Sequence, residues 1–217
     1  MSMRLFGDDV VEFQRLLKWC GLLTGKVDGI WGAETEKAAT AFENFYKAIK
    51  ASGGAFDVRS EACILTLHPK AQEMARMSLT VIRGTGIDAR IISGTRSYAE
   101  QNALFRKGRF GNAGPRVTNA RGGQSNHNFG IAWDIGIFDA KGRYLADSPL
   151  YGKAGRTVLG SFSGESAKNA SGRAARAPAL EWGGEWKSFP DVSHFQLRTG
   201  LSLAELRSRF ERGVAFV

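Results

Sequence analysis

The sequence predicts an α+β protein: a small N-terminal three-helix domain followed by a larger α+β domain with a central antiparallel sheet. Helical apolar spacing dominates up to Gly84, and strand-like runs appear only after it, at Ile87–Thr95, Ala132–Phe138 and around His194–Leu197. Irregular loops and single helices interrupt those runs, which argues against the repeated βαβ units of a parallel doubly wound sheet. A chain of 217 residues with 43% hydrophobic and 24% charged side chains holds enough apolar material for one good core or two small ones.

The elements follow in order. From Asp8, the residues Val10, Phe13, Leu16, Leu17 and Cys20 recur at helical spacing, with Asp8 or Asp9 as the N-cap carboxylate. Gly21 to Gly32 is a loop around the turn dipeptide Asp28-Gly29, and Ala38, Ala39, Phe42, Phe45, Tyr46 and Ile49 mark the inner face of a second helix. Ser60 to Leu67 forms a short third, and His68-Pro69 reads as a boundary, giving domains 1–67 and 68–217. On that reading the first domain is separable, and His68 faces solvent or the boundary.

Pro69 then opens a helix carrying Ala71, Met74, Ala75, Ser78, Leu79 and Ile82 inward. Ile87–Thr95 is a buried strand. Ser97 and Glu100 are a capping box for a helix that presents Ala103, Leu104 and Phe105. Residues 108–126 are loop. Ala132–Phe138 alternates, placing Asp134 and Gly136 on one face and Trp133, Ile135 and Ile137 on the other, before a hairpin turn at Asp139-Ala140-Lys141-Gly142. Residues 152–178 are poor in large apolar side chains and read as a mobile basic excursion rather than an amphipathic helix. Trp182 to Trp186, a turn at Pro190, a strand around His194–Leu197 and a helix opened by the capping box Ser202/Glu205 complete the chain.

The formal charge of +9 calls for an anionic partner: nucleic acid, an acidic membrane face or an anionic wall polymer. No nucleic-acid reader motif and no aromatic-interleaved basic helix are present, so specific nucleic-acid binding is not expected. No run approaches the roughly 18 apolar residues of a membrane span. The opening residues lack a signal-peptide core, so synthesis in the cytosol is expected. Cys20 and Cys63 form no CxxC pair and read as buried free thiols.

The chemistry concentrates at His127, Asp134 and His194. His127 stands just before a strand and Asp134 stands on it, so a turn can bring imidazole and carboxylate to one point. Small or flexible neighbours, Ser125, Gly130 and Ala132, leave room for an ion, and His194 begins another strand after Asp191. Two histidines and one carboxylate with an open fourth position are the donor set of a catalytic rather than a structural zinc site.

Two families are resembled. Val27-Asp28-Gly29-Ile30-Trp31-Gly32 with Glu34-Thr35, Ala38-Ala39 and Ala41-Phe42 resembles the repeat-type peptidoglycan-binding domain over about residues 5–67, which implies wall contact at Trp31. Ser125, His127, Gly130, Ala132 and Asp134, followed by Asp191 and His194, resemble the SxHxxGxAxD and [DE]xxH motifs of the zinc D,D-carboxypeptidase and L-alanyl-D-glutamate endopeptidase family. Ser93-Gly94-Thr95-Arg96-Ser97 matches its SGxRS segment, and Trp182–Phe189 resembles its phage endolysin branch.

The resemblance implies an α+β zinc peptidase domain with one Zn²⁺ per chain on His127, Asp134 and His194. It also implies Asp191 as general base, Arg96 at the developing oxyanion or a substrate carboxylate, and Ser125 orienting a ligand or substrate. The family often has Glu where this chain has Asp191, which leaves Glu185, and less so Glu181, as rival bases. The expected substrate is bacterial peptidoglycan and the expected activity a monomeric endolysin's cleavage of the stem peptide at L-Ala-D-Glu, at the wall after release. The alternatives are a D,D-carboxypeptidase or endopeptidase, a secreted antibacterial wall-degrading effector, and a non-catalytic wall-binding protein.

Overall fold

The computed structural model describes residues 9–162 and 180–216. Helix α1 spans Val10–Trp19, and the Asp9 carboxylate caps it by accepting from the Glu12 N–H. Helix α2 is Ala33–Gly53, α3 is Val58–Leu65 and α4 is Pro69–Gly84, with Pro69 in its first turn. Strand β1, Asp88–Ser93, precedes α5, Tyr98–Arg106, which carries the full Ser97/Glu100 capping box. A 3-10 turn at Asn126–Phe129 leads into β2, Ala132–Phe138, and α6 follows at Leu150–Phe162. After β3, Leu180–Trp182, and β4, His194–Leu197, the Ser202/Glu205 capping box opens α7, Leu203–Glu211.

The strands form one antiparallel sheet in the order β1-β2-β4-β3. Period-two alternation gives the sheet two chemically different faces. Trp133, Ile135 and Ile137 of β2, Phe195 and Leu197 of β4, and Leu180 and Trp182 of β3 are buried in the core. The opposite face carries Asp134, His194, Gln196 and Glu181; Asp134 pairs with His194 across β2/β4, and Gln196 with Glu181 across β3/β4.

Helix α6 lies where an excursion is expected from composition: Tyr151, Ala154, Gly155 and Val158 are buried. Its small residues are the reason it packs, because a Cβ at Gly155 would run into the Trp182 ring. The rest of that segment, 163–178, lies outside the described residues. Two apolar assignments also change. Phe45 is 48% exposed, because it sits about 60° round the helix from Phe42, whereas Tyr46, about 40° round on the other side, reaches Glu61. In α5 the buried residue is Gln101 rather than Ala103, Leu104 or Phe105. The helix lies against the polar loop, and the Gln101 amide donates to the Ala120 carbonyl. Cys20 and Cys63 are free and half-buried.

His68 is buried rather than exposed. Its Nδ1 caps α4 by accepting from the Lys70 N–H, its ring meets Phe216 edge-on, and burial pushes its pKa down to about 3. The two predicted domains share one core: Trp19 packs on Phe210 and Phe216, and Phe13, Leu16 and Leu17 belong to the same apolar cluster as the sheet and α4 residues. The Ser60 hydroxyl accepts from the Ile91 N–H, tying α3 to β1, and the Trp19 carbonyl accepts from the Phe216 N–H. Burial of each such large apolar side chain contributes about 1.5–3 kcal/mol, so losing four of them rivals a whole domain's net stability of about 5–15 kcal/mol. Deleting residues 1–67 is therefore expected to unfold the remainder, seen as loss of near-UV circular dichroism. A truncated chain with native dispersion in its NMR spectrum would contradict this.

A second contact across the boundary is acidic. The buried Glu12 carboxylate accepts from the Tyr98 N–H at the start of α5, at 2.8 and 3.1 Å. Burial raises its pKa from 4.5 to about 7; the Tyr98 hydrogen bond and Arg15 oppose the shift, while Asp9 and Glu100 add to it. The folded chain therefore keeps a proton that the unfolded chain releases, so this group's contribution falls as pH rises from about 4.5 to about 7 and then stays low. Glu12→Gln, which still accepts from Tyr98, is expected to raise the melting temperature at pH 8 by a few degrees and to change little at pH 4.5. Equal shifts at both values would remove Glu12 as the cause.

Candidate metal centre

Three donor atoms converge on the polar face of the sheet. His127 Nε2 lies 3.2 Å from Asp134 Oδ1 and 3.2 Å from His194 Nδ1, and His194 Nδ1 lies 3.1 Å from the same Asp134 oxygen. The sheet supplies two of them, because Asp134 and His194 are direct cross-strand partners. The 3-10 turn supplies the third. Gly130, in the left-handed region at φ 68°, ends that turn and sends the chain into β2.

The outer nitrogen of each imidazole is engaged. His127 Nδ1 lies 2.7 Å from the Gly94 carbonyl and His194 Nε2 3.0 Å from the Gln196 side-chain oxygen. Both partners are acceptors, so each outer nitrogen carries the proton and each inner nitrogen presents a lone pair. Two lone pairs and a carboxylate oxygen facing one another at 3.1–3.2 Å repel unless a cation lies between them. Zinc–nitrogen and zinc–oxygen bonds of about 2.0–2.2 Å in a tetrahedron set neighbouring donors about 3.3 Å apart, so the donor set fits the ion in chemistry and in spacing. It is the one cluster of metal-binding side chains among the described residues.

The electrostatics agree. Burial pushes His127 below the usual histidine range, although the Asp134 carboxylate works in the other direction. At His194 burial also opposes charge, but Asp134 outweighs it and holds the pKa up. Burial would raise Asp134; the two imidazoles instead hold its carboxyl well below the usual range.

A cleft of about 1250 Å³ opens over these residues and is also lined by Asp191, Arg96 and Ser125. Asp191 Oδ1 accepts from the Ser193 N–H and hydroxyl, while Oδ2 has no protein hydrogen bond among the described residues. The Asp191 backbone N–H donates to the Gly183 carbonyl, so the Trp182–Trp186 segment positions the carboxylate. Arg96 donates to Asp134 Oδ2 at 3.1 Å and to the Gln101 oxygen at 3.0 Å. Glu185 is exposed and does not line the cleft. Glu181 does, but its carboxylate already accepts from Trp186 Nε1 and Gln196 Nε2.

Trp31 is not among the cleft-lining residues. It stacks on Phe13 at 5.6 Å and donates to Glu36. The sequence did not reveal Gly94 and Gln196 as partners of the histidines, or Asn126 as the donor to Gln196. The SGxRS segment is the one signal that pointed towards Gly94; nothing in the sequence marked the other two.

Residues 118–197 match a family described as D-alanyl-D-alanine carboxypeptidase, and residues 6–49 match one described as a peptidoglycan binding domain. The peptidoglycan L-alanyl-D-glutamate endopeptidase CwlK of Bacillus subtilis (strain 168) is 34% identical over 131 residues, covering 60% of this chain and 73% of that protein. The chain belongs to the D-alanyl-D-alanine carboxypeptidase family. It is a metallopeptidase with a peptidoglycan-binding segment ahead of it, and peptidases of this family depend on zinc. The L-Ala D-Glu endopeptidase ChiX of Serratia marcescens is a similar solved structure, 26% identical, with a TM-score of 0.49 over 67% of this chain and 90% of that one. No described helix is long and apolar enough to cross a membrane.

Proposed function

We propose that this metallopeptidase hydrolyses the stem peptide of bacterial peptidoglycan at the L-Ala-D-Glu bond. The observation that carries the chemistry is the inward-facing triad of His127, Asp134 and His194 beside Asp191 in an open cleft. The relative's printed activity supports the choice of bond. Residues 1–67 hold the wall and residues 68–217 cut it, with Trp31 and its exposed neighbour Ile30 on the wall-binding side. Holding the wall raises the local concentration of stem peptides at the cleft. The net positive charge adds attraction to anionic wall polymers. The chain works as a monomer on the wall, with no nucleic acid involved, and its action is lytic.

His127 Nε2, Asp134 Oδ1 and His194 Nδ1 would hold the zinc, which supplies Lewis-acid polarisation of the scissile carbonyl and an acidified water. Asp191 would take a proton from the attacking water at Oδ2 and return it to the leaving amine. Arg96 neutralises Asp134 and keeps an unused N–H on each terminal nitrogen for a carboxylate or oxyanion in the cleft. Ser125, at the cleft wall before the 3-10 turn, orients the substrate. Chelation is expected to abolish release of peptide from purified peptidoglycan, with recovery at about one equivalent of zinc. Undiminished release in chelator would exclude the metal mechanism.

A further inference from the structure

The cleft has two chemically different ends, and β4 runs between them. His194, Gln196 and Arg198 alternate with the core residues Phe195 and Leu197, so all three face the cleft that they line. At the His194 end stand Trp186, its ring centroid 5.0 Å from that of His194, the exposed Phe189, and the hydroxyls of Ser93, Ser188 and Ser193. At the Arg198 end, Leu104 of α5 and Leu201, Leu203 and Leu206 around the start of α7 line an aliphatic trough. Asp134 and Asp191 stand at the metal centre and Glu181 accepts from Trp186 and Gln196, so none of the acids lining the cleft pairs with Arg198. Its exposed guanidinium has no hydrogen bond or ion pair among the described residues.

Aromatic rings beside hydroxyls suit the C–H faces and hydroxyls of a sugar. An aliphatic trough beside a free cation suits a hydrocarbon side chain that ends in a carboxylate. A stem cut at L-Ala-D-Glu offers both, with the glycan on the L-Ala side and the rest of the peptide on the D-Glu side. D-Glu continues the stem through its side-chain carboxyl, so about eleven bonds separate its nitrogen from the far carboxylate of a diamino diacid at the third position, roughly 14 Å when extended. Along β4, the four residues from His194 to Arg198 cover about 13 Å. The two lengths agree, whereas the D-Glu α-carboxylate lies beside the scissile bond and falls short of Arg198.

Resting on the L-Ala-D-Glu reading above, we propose that Arg198 is a specificity-determining residue: it receives the side-chain carboxylate of a diamino diacid at the third stem position, with the methylenes in the leucine trough. Such stems are selected over those with lysine there. Lysine presents an ammonium alone at that place, which Arg198 repels; the diacid carries an ammonium too, but beside a carboxylate that turns to the guanidinium. A merely solvated surface cation would instead act through net charge, and its loss would weaken action on every anionic substrate alike.

The test compares four soluble peptides that share L-Ala-γ-D-Glu and differ beyond it. Three end in D-Ala amide and carry at the third position meso-diaminopimelate, its side-chain carboxamide, or lysine; the fourth carries lysine and a free terminal carboxylate. Wild type is expected to cut the first with a kcat/KM roughly 10-fold above the second and third, mostly through KM, the usual worth of a charge-assisted hydrogen bond. Arg198→Gln is expected to bring that ratio near one, and Arg198→Glu to favour lysine. Arg209→Gln, which removes the same charge from the exposed side of α7 outside the cleft, should keep the wild-type ratio.

Equal efficiency of wild type on diaminopimelate and its carboxamide overturns the proposal, as does a ratio that survives in Arg198→Gln. A preference for the fourth peptide over the third that vanishes in Arg198→Gln, without one for the first over the second, assigns Arg198 to the chain terminus and overturns it too. The choice of bond fails separately, if wild type cuts none of the four at L-Ala-D-Glu. Calorimetric affinities of the peptides for the zinc-loaded full chain then decide: tighter binding of the first than of its carboxamide, lost in Arg198→Gln, sustains the proposal, and equal binding overturns it.

Discussion

Asp191→Asn is expected to lower turnover by roughly 10²–10⁴-fold, the usual worth of a positioned acid–base group, while zinc content and fold survive. The amide is nearly the same shape and its oxygen can still accept from the Ser193 N–H and hydroxyl, so the local turn has no reason to move. What it loses is the capacity to take a proton at neutral pH. Glu185→Gln is the control: Glu185 is exposed and outside the cleft, so turnover should stay within a few-fold of wild type. Turnover on a soluble stem peptide, measured beside elemental analysis, separates the roles. Loss of zinc in Asp191→Asn would instead place Asp191 in the ligand shell, and near-normal turnover would remove it as the base.

His127→Ala is expected to abolish zinc binding and bring activity to background. Nε2 is one of the three donors that converge among the described residues, and the buried Gly94 carbonyl loses the imidazole N–H that points at it. An unsatisfied buried acceptor costs about 1–3 kcal/mol, so the variant should also melt lower than the metal-free wild type. A second signature follows from linkage: an ion at 100 times its dissociation constant stabilises the folded state by about 2.7 kcal/mol. Chelator should therefore lower the melting temperature of wild type and leave that of His127→Ala unchanged. A chelator-dependent shift that persists in His127→Ala would show that the ion binds elsewhere.

Much of the site was legible because the information is local. The alternation of Ala132–Phe138 put Asp134 opposite the core residues, and the strand at His194 supplied its partner. Capping boxes at Ser97 and Ser202 were legible for the same reason: both partners lie within one turn. The contacts that were not legible join distant segments. Gln196 meets Glu181 through the register of β3 on β4, and Glu12 meets the Tyr98 N–H across 86 residues. The separability of residues 1–67 looked plausible because each helix had its own apolar stripe. A stripe states that a face is buried without saying against what, and here Leu16 and Trp19 join the same core as Trp133. Residues 150–162 escaped because low apolar bulk was read as exposure, whereas Gly155 is small in order to approach Trp182.

The central claim is that this chain cuts one bond of the stem peptide with a metal at His127, Asp134 and His194. Mass spectrometry of fragments released from purified peptidoglycan tests it most directly, with and without chelator. The account predicts peptides whose new N-terminus is D-Glu, glycan strands that retain only L-Ala, and no such fragments in chelator. Release of free D-Ala with the L-Ala-D-Glu bond intact would contradict it.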